Sequence, residues 1–141
     1  MAENQLIPGQ PLRNGMDLVA DKKTGALIVV GTSSKLERIS SGGISLTNCS
    51  YTPEMLSELA KMDGAIVVDS EVSNILKANV HLNPSDNIPT SQTGTRHRTA
   101  QRVSVETGLS VVAVSEESAI IKVFKGNDVN ELEESSIILG R

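Results

Sequence analysis

Short apolar runs alternate with segments of helical periodicity along the 141 residues of the chain. Residues 26–31 (ALIVVG) and 65–69 (AIVVD) are rich in β-branched side chains. Uninterrupted apolar runs of this length are typical of strands that are covered on both faces. Residues 110–114 (SVVAV) and 119–124 (AIIKVF) predict two further strands, joined as a hairpin through residues 115–118.

The strongest helical pattern follows Tyr51. Thr52 is a suitable N-cap, Pro53 suits the first helical position, and Gly64 ends the segment. The pattern predicts an apolar stripe on one face of this helix, made of Met55, Leu56, Leu59 and Met62.

Weaker patterns fill the rest of the chain. Residues 16–25 predict a short helix that ends at Gly25, residues 74–82 favour a strand, and residues 96–107 predict a helix closed by Gly108. In that last helix we expect Ala100, Val103 and Thr107 to face inward. We expect a loosely ordered amino-terminal segment over residues 1–15, and over residues 130–141 the start of a helix that the chain truncates.

Strands that alternate with helices indicate the α/β class, and the terminal hairpin makes the sheet mixed. We therefore predict one domain over residues 1–141, with a central twisted mixed β-sheet flanked by helices. Aromatic residues amount to 1%, so the core must be aliphatic. A chain of this length buries roughly 70% of its unfolded surface and needs no disulfide or metal to fold.

Charge and cysteine content narrow the functional classes. The formal net charge of −4 argues against a general nucleic-acid clamp, and the clustered arginines point to a discrete anionic ligand. Cys49 is the single cysteine, which excludes an internal disulfide and favours packing over nucleophilic chemistry. No apolar run approaches the ~18–20 residues that span a bilayer. We expect a soluble cytoplasmic protein without a membrane partner.

The start of the predicted helix at residue 96 carries the most distinctive chemistry. Unpaired backbone N–H groups at a helix start attract phosphate, and Gly94 permits a close approach to the backbone. The surrounding side chains are hydroxyl donors and guanidinium forks: Thr93, Thr95, Arg96, Arg98 and Thr99. Helix capping and solvated charge are the ordinary alternative. Two arginines oppose the helix dipole there, however, which favours an anionic ligand.

Other candidate residues keep two interpretations each. His97 could bind metal, shuttle a proton or make an ordinary hydrogen bond. Asp63 could hold a divalent cation or accept a proton from a sugar hydroxyl, although Asp before Gly is also a common turn. Glu116 and Glu117 fit a hairpin turn. His81 has no cysteine or histidine neighbour in the sequence, so a structural zinc site is disfavoured.

Two motifs in this order, DGA at residues 63–65 and GTRHR at residues 94–98, resemble the diadenylate cyclase (DAC) domain family. Members of that family are nucleotidyltransferases that condense two ATP molecules into the second messenger cyclic di-AMP. The likeness also runs through GALIVVG, SGG, LAKMDGAIVVD, ANVHL and IPTSQTGTRHRTAQRV, which together cover most of the chain.

The resemblance implies a role for each matching residue. Asp63 would bind the metal and activate the hydroxyl, with Mg²⁺ or Mn²⁺ as the cofactor and with His97 and Glu117 as further candidate ligands. The catalytic set would be Asp63, Arg96, His97 and Arg98. ATP would be bound by Gly64, Ala65, Leu82, Gly94, Thr95, Arg96, His97, Arg98, Thr99 and Ser115.

The resemblance also implies partners. Two protomers would face each other as a homodimer within a larger assembly. That assembly would be an octamer in the soluble branch of the family, whose cyclase domain is followed by a helical spine and a DNA-binding domain. DNA would then contact only that carboxyl-terminal part, which this chain lacks.

Two features depart from the soluble branch. Gln92 and Gln101 replace its usual glutamates, and residues 114–118 (VSEES) look closer to membrane-anchored relatives. The rival interpretation is a non-catalytic sensor that binds ATP or cyclic di-AMP through the same helix start.

Overall fold

A computed structural model of the chain describes residues 2–117 and 119–132. Its centre is an eight-stranded mixed sheet, in agreement with the predicted α/β class. The strands are β1 (Ala26–Val30), β2 (Ser40–Ser41), β3 (Ile44–Ser45), β4 (Ala65–Val68), β5 (Ile75–Leu82), β6 (Ser110–Val114), β7 (Ile121–Lys125) and β8 (Asp128–Leu132). The helices are α1 (Ala2–Gln5), α2 (Pro11–Lys22), α3 (Ser34–Ile39), α4 (Pro53–Leu59) and α5 (Thr95–Thr107).

The strands lie in the order β2-β5-β4-β1-β6-β7-β8, and β3 also pairs with β5. Among the described strands, only the central pair β1–β4 is parallel. The antiparallel pairs are β1–β6, β2–β5, β3–β5, β4–β5, β6–β7 and β7–β8. The predicted hairpin of β6 and β7 is confirmed, and so is the strand predicted at residues 74–82. Among the described residues, no helix is long and apolar enough to cross a membrane.

Two hydrophobic cores lie on opposite faces of this sheet, because the central strands send alternate side chains to each face. In β1, Ala26, Ile28 and Val30 join the core beneath α2 and α4, whereas Leu27 and Val29 join the core beneath α3 and α5. The strand is buried along its whole length. This double coverage is the reason that the sequence shows an uninterrupted apolar run here.

The expectation of a loosely ordered segment over residues 1–15 is wrong for residues 2–5 and 11–15, which are helical. Helix α2 begins at Pro11 and runs through Gly15, and its stripe of Leu12, Met16 and Val19 is fully buried. Glycine inside a helix is ordinarily destabilising, yet α2 needs Gly15. A Cβ atom there would lie 2.7 Å from a methyl group of Leu56 and would also collide with the hydroxyl of Tyr51.

Arg13 anchors the segment before α2. The residue is 1% exposed, and its side chain donates hydrogen bonds to the carbonyl of Leu6 at 3.0 Å and to the carboxylate of Asp17 at 3.1 Å. Tyr51 adds a second tie, since its hydroxyl donates to the carbonyl of Pro11 at 2.7 Å. Tertiary contacts therefore order residues whose composition alone resembles a loop.

Two other expectations need correction. The hydroxyl of Thr52 caps α4 as predicted, but the helix ends at Leu59, so the proposed stripe does not continue. Leu56 is buried, whereas Met55 and Met62 are 41% and 38% exposed. The helix expected from residue 130 is wrong for residues 130–132, which belong to β8 and pair with β7. Its remainder, residues 133–141, lies outside the described residues.

The strand arrangement brings several chain segments together at one edge of the sheet. Parallel β1 and β4 begin at the same edge, and antiparallel β5 and β6 end there, since Ala65 pairs with Val80 and Ala26 with Val114. Helix α5 packs over the adjoining face through Ala100 and Val103. As predicted, these two residues face inward, and Gly108 ends the helix.

A buried hydroxyl fixes the far end of α5. Ser104 lies within hydrogen-bonding distance of the carbonyls of Leu109 (2.7 Å) and Phe124 (3.1 Å), and it accepts a hydrogen bond from the N–H of Gly126 at 2.7 Å. One side chain thus joins the helix to the turn between β7 and β8 and to the segment that leads into β6.

Replacing Ser104 with alanine should lower the free energy of unfolding by about 1–3 kcal/mol, because buried backbone groups lose their partner. Urea denaturation monitored by circular dichroism would measure the change. Ser34→Ala, at an exposed position of α3, is the matched control and should alter stability by less than about 0.5 kcal/mol. Equal stability of the two variants would contradict this role for Ser104.

Candidate functional site

The amino-terminal end of α5 is open. Gly94 occupies the N-cap position in an extended conformation, and no described side chain caps the helix. The first backbone hydrogen bond of the helix runs from the N–H of Arg98 to the carbonyl of Gly94 at 2.9 Å. The preceding N–H groups find no carbonyl within the helix, and its positive dipole end favours an anion.

This helix end opens into a cleft of about 460 Å³, which we call the main cleft. A volume of this size is ordinary for small-molecule sites. The main cleft brings together most of the predicted site residues: Gly64, Ala65, Leu82, Gly94, Thr95, Arg96, His97, Thr99, Ser115 and Glu117.

Four further residues line the main cleft that the sequence reasoning did not assign to it: Leu27, Val80, His81 and Glu116. Leu27 belongs to a strand that was predicted to be buried, and Val80 belongs to the strand predicted at residues 74–82. Their contribution to a ligand wall depends on which strand end lies beside α5, and the sequence pattern carries no signal for that. Glu116 had a local signal, because it precedes Glu117 in the motif at residues 114–118.

A second cleft of about 350 Å³, which we call the side cleft, adjoins the main one. The two clefts share Gly64, Arg96 and Glu116. Asp63 lines the side cleft, so this carboxylate and the Arg96 guanidinium do border one space. Arg98 is exposed and lines neither cleft, and this is the one predicted catalytic residue that the fold of the single chain leaves apart.

Arg96 occupies the boundary between the clefts. Its Nη2 atom lies 3.2 Å from Oε1 of Glu116, and this pair packs against Gly25. A Cβ atom at Gly25 would lie 2.5 Å from Nη1 of Arg96 and 2.7 Å from Cγ of Glu116. Gly25 has a φ of 72°, so both its conformation and its neighbours favour glycine.

Gly64 holds the turn that places Asp63. Its φ is 94°, and a Cβ atom there would lie 2.7 Å from the backbone carbon of Asn79 and 2.9 Å from the carbonyl oxygen of Val80. The register between β4 and β5 is irregular just beyond this point. The chain before β4 therefore approaches the backbone of β5 more closely than a residue with a side chain permits.

His97 is 8% exposed and lies beside Phe124, with 6.1 Å between the ring centroids. Burial lowers the pKa of His97, and the positive charges of Lys122 and Arg96 lower it further, while Glu131 opposes the shift. Its Nε2 atom is enclosed, and the described residues offer it no hydrogen-bond partner. The imidazole is therefore neutral near pH 7.

The side chains proposed for metal binding do not form a cage. Asp63 lines the side cleft, whereas His97 and Glu117 line the main cleft. Within the described part of the chain, no three His, Cys, Asp or Glu residues gather closely enough to hold a metal ion. Magnesium is commonly held by one or two carboxylates together with substrate phosphates, and the residues present fit that arrangement. Mg²⁺ or Mn²⁺ stays a prediction.

Comparison with known sequences gives one family profile. The profile described as "DAC: DisA bacterial checkpoint controller nucleotide-binding" matches residues 13–129. The DNA integrity scanning protein DisA of Clostridium kluyveri is 46% identical over 136 residues, which is 96% of this chain and 38% of that protein. The protein of the same name from Fusobacterium nucleatum is 45% identical over 87% of the chain and 35% of its own length. The chain thus spans well under half of these relatives.

Two solved structures are similar to the fold. DacA from Staphylococcus aureus aligns with a TM-score of 0.73 and 26% identity, over 97% of this chain and 92% of that one. A hypothetical membrane-spanning protein from Bacillus cereus aligns with a TM-score of 0.74 and 25% identity, over 87% and 62% respectively. In sequence, the chain is closer to the two DisA proteins than to either of these structures, despite its VSEES motif.

The buried imidazole predicts a dependence of stability on pH. The pKa of His97 lies below its ordinary value of 6.5 in the folded state, so the unfolded state binds protons more readily. The free energy of unfolding should therefore decrease as the pH falls through 6.5 toward the lowered pKa, by at most about 1.4 kcal/mol per pH unit. Above pH 7 the contribution is complete.

Urea denaturation at several pH values between 7.5 and 5.5 measures this slope. His97→Gln should flatten it relative to the parent chain, and NMR of the imidazole should give the shifted pKa directly. A His81→Gln variant identifies the other imidazole signal. A His97 resonance that titrates at or above pH 6.5 would contradict the assignment.

Proposed function

Because the chain belongs to the DAC family of DisA bacterial checkpoint controller nucleotide-binding domains, we propose that it is a diadenylate cyclase. The reaction converts two ATP molecules into one cyclic di-AMP and two pyrophosphates. One observation carries the proposal: an uncapped, arginine-bearing helix start opens into a cleft that connects, through Arg96, with a cleft bordered by the Asp63 carboxylate.

The main cleft suits a nucleoside with its phosphates. Its apolar wall of Leu27, Ala65, Val80 and Leu82 suits the flat, apolar faces of adenine. The opposite wall is the start of α5, where backbone N–H groups and the hydroxyls of Thr95 and Thr99 can donate to phosphate oxygens. Arg96 adds a permanently charged, planar donor at the same end.

The proposed chemistry joins two nucleotides that face each other. The 3′-oxygen of one ATP forms a bond to the α-phosphorus of the other, and the bond from that phosphorus to the bridging oxygen of pyrophosphate breaks. Asp63 accepts the proton of the attacking hydroxyl. A second step of the same kind, in which the two nucleotides exchange roles, closes the ring. Two ATP molecules thus yield one cyclic product and two pyrophosphates.

Most of the acceleration would come from alignment and electrostatics. Holding the hydroxyl and the phosphorus in line replaces an encounter between two free nucleotides with a reaction inside one complex. Arg96 and the helix start stabilise the negative charge that develops on the phosphate oxygens. The neutral imidazole of His97 adds no positive charge, so its role there is to pack beneath the phosphate site and to present a hydrogen-bonding group.

A single subunit binds only one of the two reacting nucleotides, so the reaction needs a second subunit. Asp63 and Arg98 are both exposed in the isolated chain, which leaves them available at an interface. Arg98 would reach a phosphate across that interface rather than within its own clefts. A face-to-face homodimer, within an octamer if the assembly matches that of DisA, follows from this requirement.

Mg²⁺ or Mn²⁺ is the proposed cofactor, held by Asp63 and phosphate oxygens with Glu117 and His97 as further candidates, and it would supply charge neutralisation at the phosphates. A cytoplasmic location and contact with DNA through a carboxyl-terminal part are proposals too. The support for them is the similarity to DNA integrity scanning proteins of greater length.

Asp63→Asn should abolish the production of cyclic di-AMP while the fold persists. The amide cannot accept the proton of the hydroxyl, and loss of a catalytic base costs roughly 100-fold to 10,000-fold in rate. Purified protein would be incubated with ATP and Mg²⁺ or Mn²⁺, and the products identified by mass spectrometry. Asp21→Asn, at an exposed position of α2, is the matched control and should retain full activity.

Two outcomes of this experiment would overturn the assignment. If Asp63→Asn forms the cyclic dinucleotide as fast as the parent chain, Asp63 is not the base. If the parent chain binds ATP but releases no pyrophosphate, the protein is a nucleotide sensor and not a cyclase.

The need for two subunits predicts that specific activity depends on protein concentration. At saturating ATP, the rate per subunit should rise with protein concentration and then level off as the dimer forms. Sedimentation velocity over the same concentrations would show the accompanying change in mass. A constant rate per subunit at concentrations where the protein sediments as a monomer would contradict the mechanism.

A further inference from the structure

We propose that the side cleft binds the β- and γ-phosphates of ATP, and pyrophosphate after the reaction, with Lys23 and Lys61 as its cationic walls. This inference rests on the proposed function and adds to it the position of the phosphate tail. It assigns a role to two lysines outside the DGA and GTRHR motifs.

The two clefts differ in the chemistry of their walls. The main cleft has the apolar wall of β1, β4 and β5 together with the start of α5. The side cleft has three cationic side chains, Lys23, Lys61 and Arg96, and two anionic ones, Asp63 and Glu116. Cations are in excess there, in a chain whose net charge is −4. The main cleft therefore suits the base and ribose, and the side cleft suits an anion.

The shared boundary sets the direction of the ligand. Arg96 lines both clefts, and the first turn of α5 faces the main one. A nucleotide with its base against Leu82 and its α-phosphate at Arg96 has its remaining phosphates at the junction. The side cleft is the adjoining space beyond Arg96, and it is also bordered by the proposed base, Asp63.

The two lysines are in a state that can receive an anion. Lys23 lines the side cleft and forms no ion pair with a described carboxylate. Its backbone at the end of α2 has a φ of 56°. Lys61 lies 3.0 Å from Glu58, but its side chain is 53% exposed. Exposed pairs of this kind are worth little, so a multiply charged phosphate can compete for the ammonium.

Glu116 is the internal competitor for Arg96. Its Oε1 atom lies 3.2 Å from Nη2 of Arg96, and Gly25, which packs against the pair, leaves room for both groups. Glu116 is 60% exposed, whereas Arg96 is 34% exposed. A phosphate that reaches Arg96 can displace the more exposed carboxylate of Glu116 into solvent. Glu116 thus weakens tail binding, and its effect has the opposite sign to that of the lysines.

The test compares two nucleotides that cannot react, 3′-deoxy-ATP and 3′-deoxy-AMP, which differ only in the phosphate tail. Isothermal titration calorimetry would give the ratio of their affinities for the parent chain, Lys23→Asn, Lys61→Gln and the double variant. Asparagine tolerates the left-handed conformation at position 23. We expect each substitution to reduce the ratio about threefold and the pair about tenfold, with 3′-deoxy-AMP binding unchanged.

Two further variants make the test specific. Lys35→Gln, at an exposed position of α3 outside both clefts, is the matched control and should preserve the ratio. Glu116→Gln should raise the affinity for 3′-deoxy-ATP about threefold. Inorganic pyrophosphate should compete with 3′-deoxy-ATP for the parent chain and compete more weakly for the double variant.

Failure of the tail subsite can be distinguished from failure of the proposed cyclase activity. An unchanged affinity ratio in the double variant would overturn the tail subsite, and it would leave the cyclase proposal standing if the parent chain converts ATP to cyclic di-AMP. A reduced affinity for both nucleotides would also overturn it, because that result indicates a general loss of binding. A parent chain that releases no pyrophosphate from ATP would overturn the proposed function, and the inference with it.

Discussion

The packing of α5 against the sheet is the constraint on which the rest of the structure depends. Ala100 and Val103 are fully buried on the face made by β1 and its neighbours, and Ser104 ties the other end of the helix to the turn after β7. With the helix axis held in this way, its open first turn lies over the edge where β1 and β4 begin. The distance between Arg96 and the turn at Gly64 is thus a consequence of core packing.

Positive charge is in excess at the start of α5 in the free chain. Arg96 and Arg98 sit at the positive end of a helix, where an acidic residue would be more stabilising. Glu116 offsets part of this from a neighbouring strand end, and it does so from an exposed position. A bound anion, as proposed, would stabilise this arrangement further. The same reasoning explains a neutral His97 in the middle of the motif, since a third positive charge there would be buried.

Two glycines allow the segments of the site to pack closely, because they have no side chain. Gly25 makes room for the Arg96–Glu116 pair, and Gly64 approaches the backbone of β5. Elsewhere the same principle stabilises the fold away from the site, because Gly15 lets α2 pack against Tyr51 and Leu56. Three glycines that look alike in the sequence thus serve the boundary between two clefts, a tight turn and a helix contact.

The sequence by itself determined the strand runs, the mixed α/β class, the start of α5 and ten of the fourteen residues that line the main cleft. These features depend on local periodicity, capping and a motif, which are properties of neighbouring residues. Tertiary structure alone decided that residues 11–15 are helical, because Gly15 and Arg13 are explained only by their distant partners. It also decided that Arg98 lines neither cleft, that residues 130–132 pair with β7, and that Lys23 and Lys61 line the same cleft as Asp63. Such facts depend on which strand ends lie at the same edge of the sheet. The periodicity of a sequence carries no information about that.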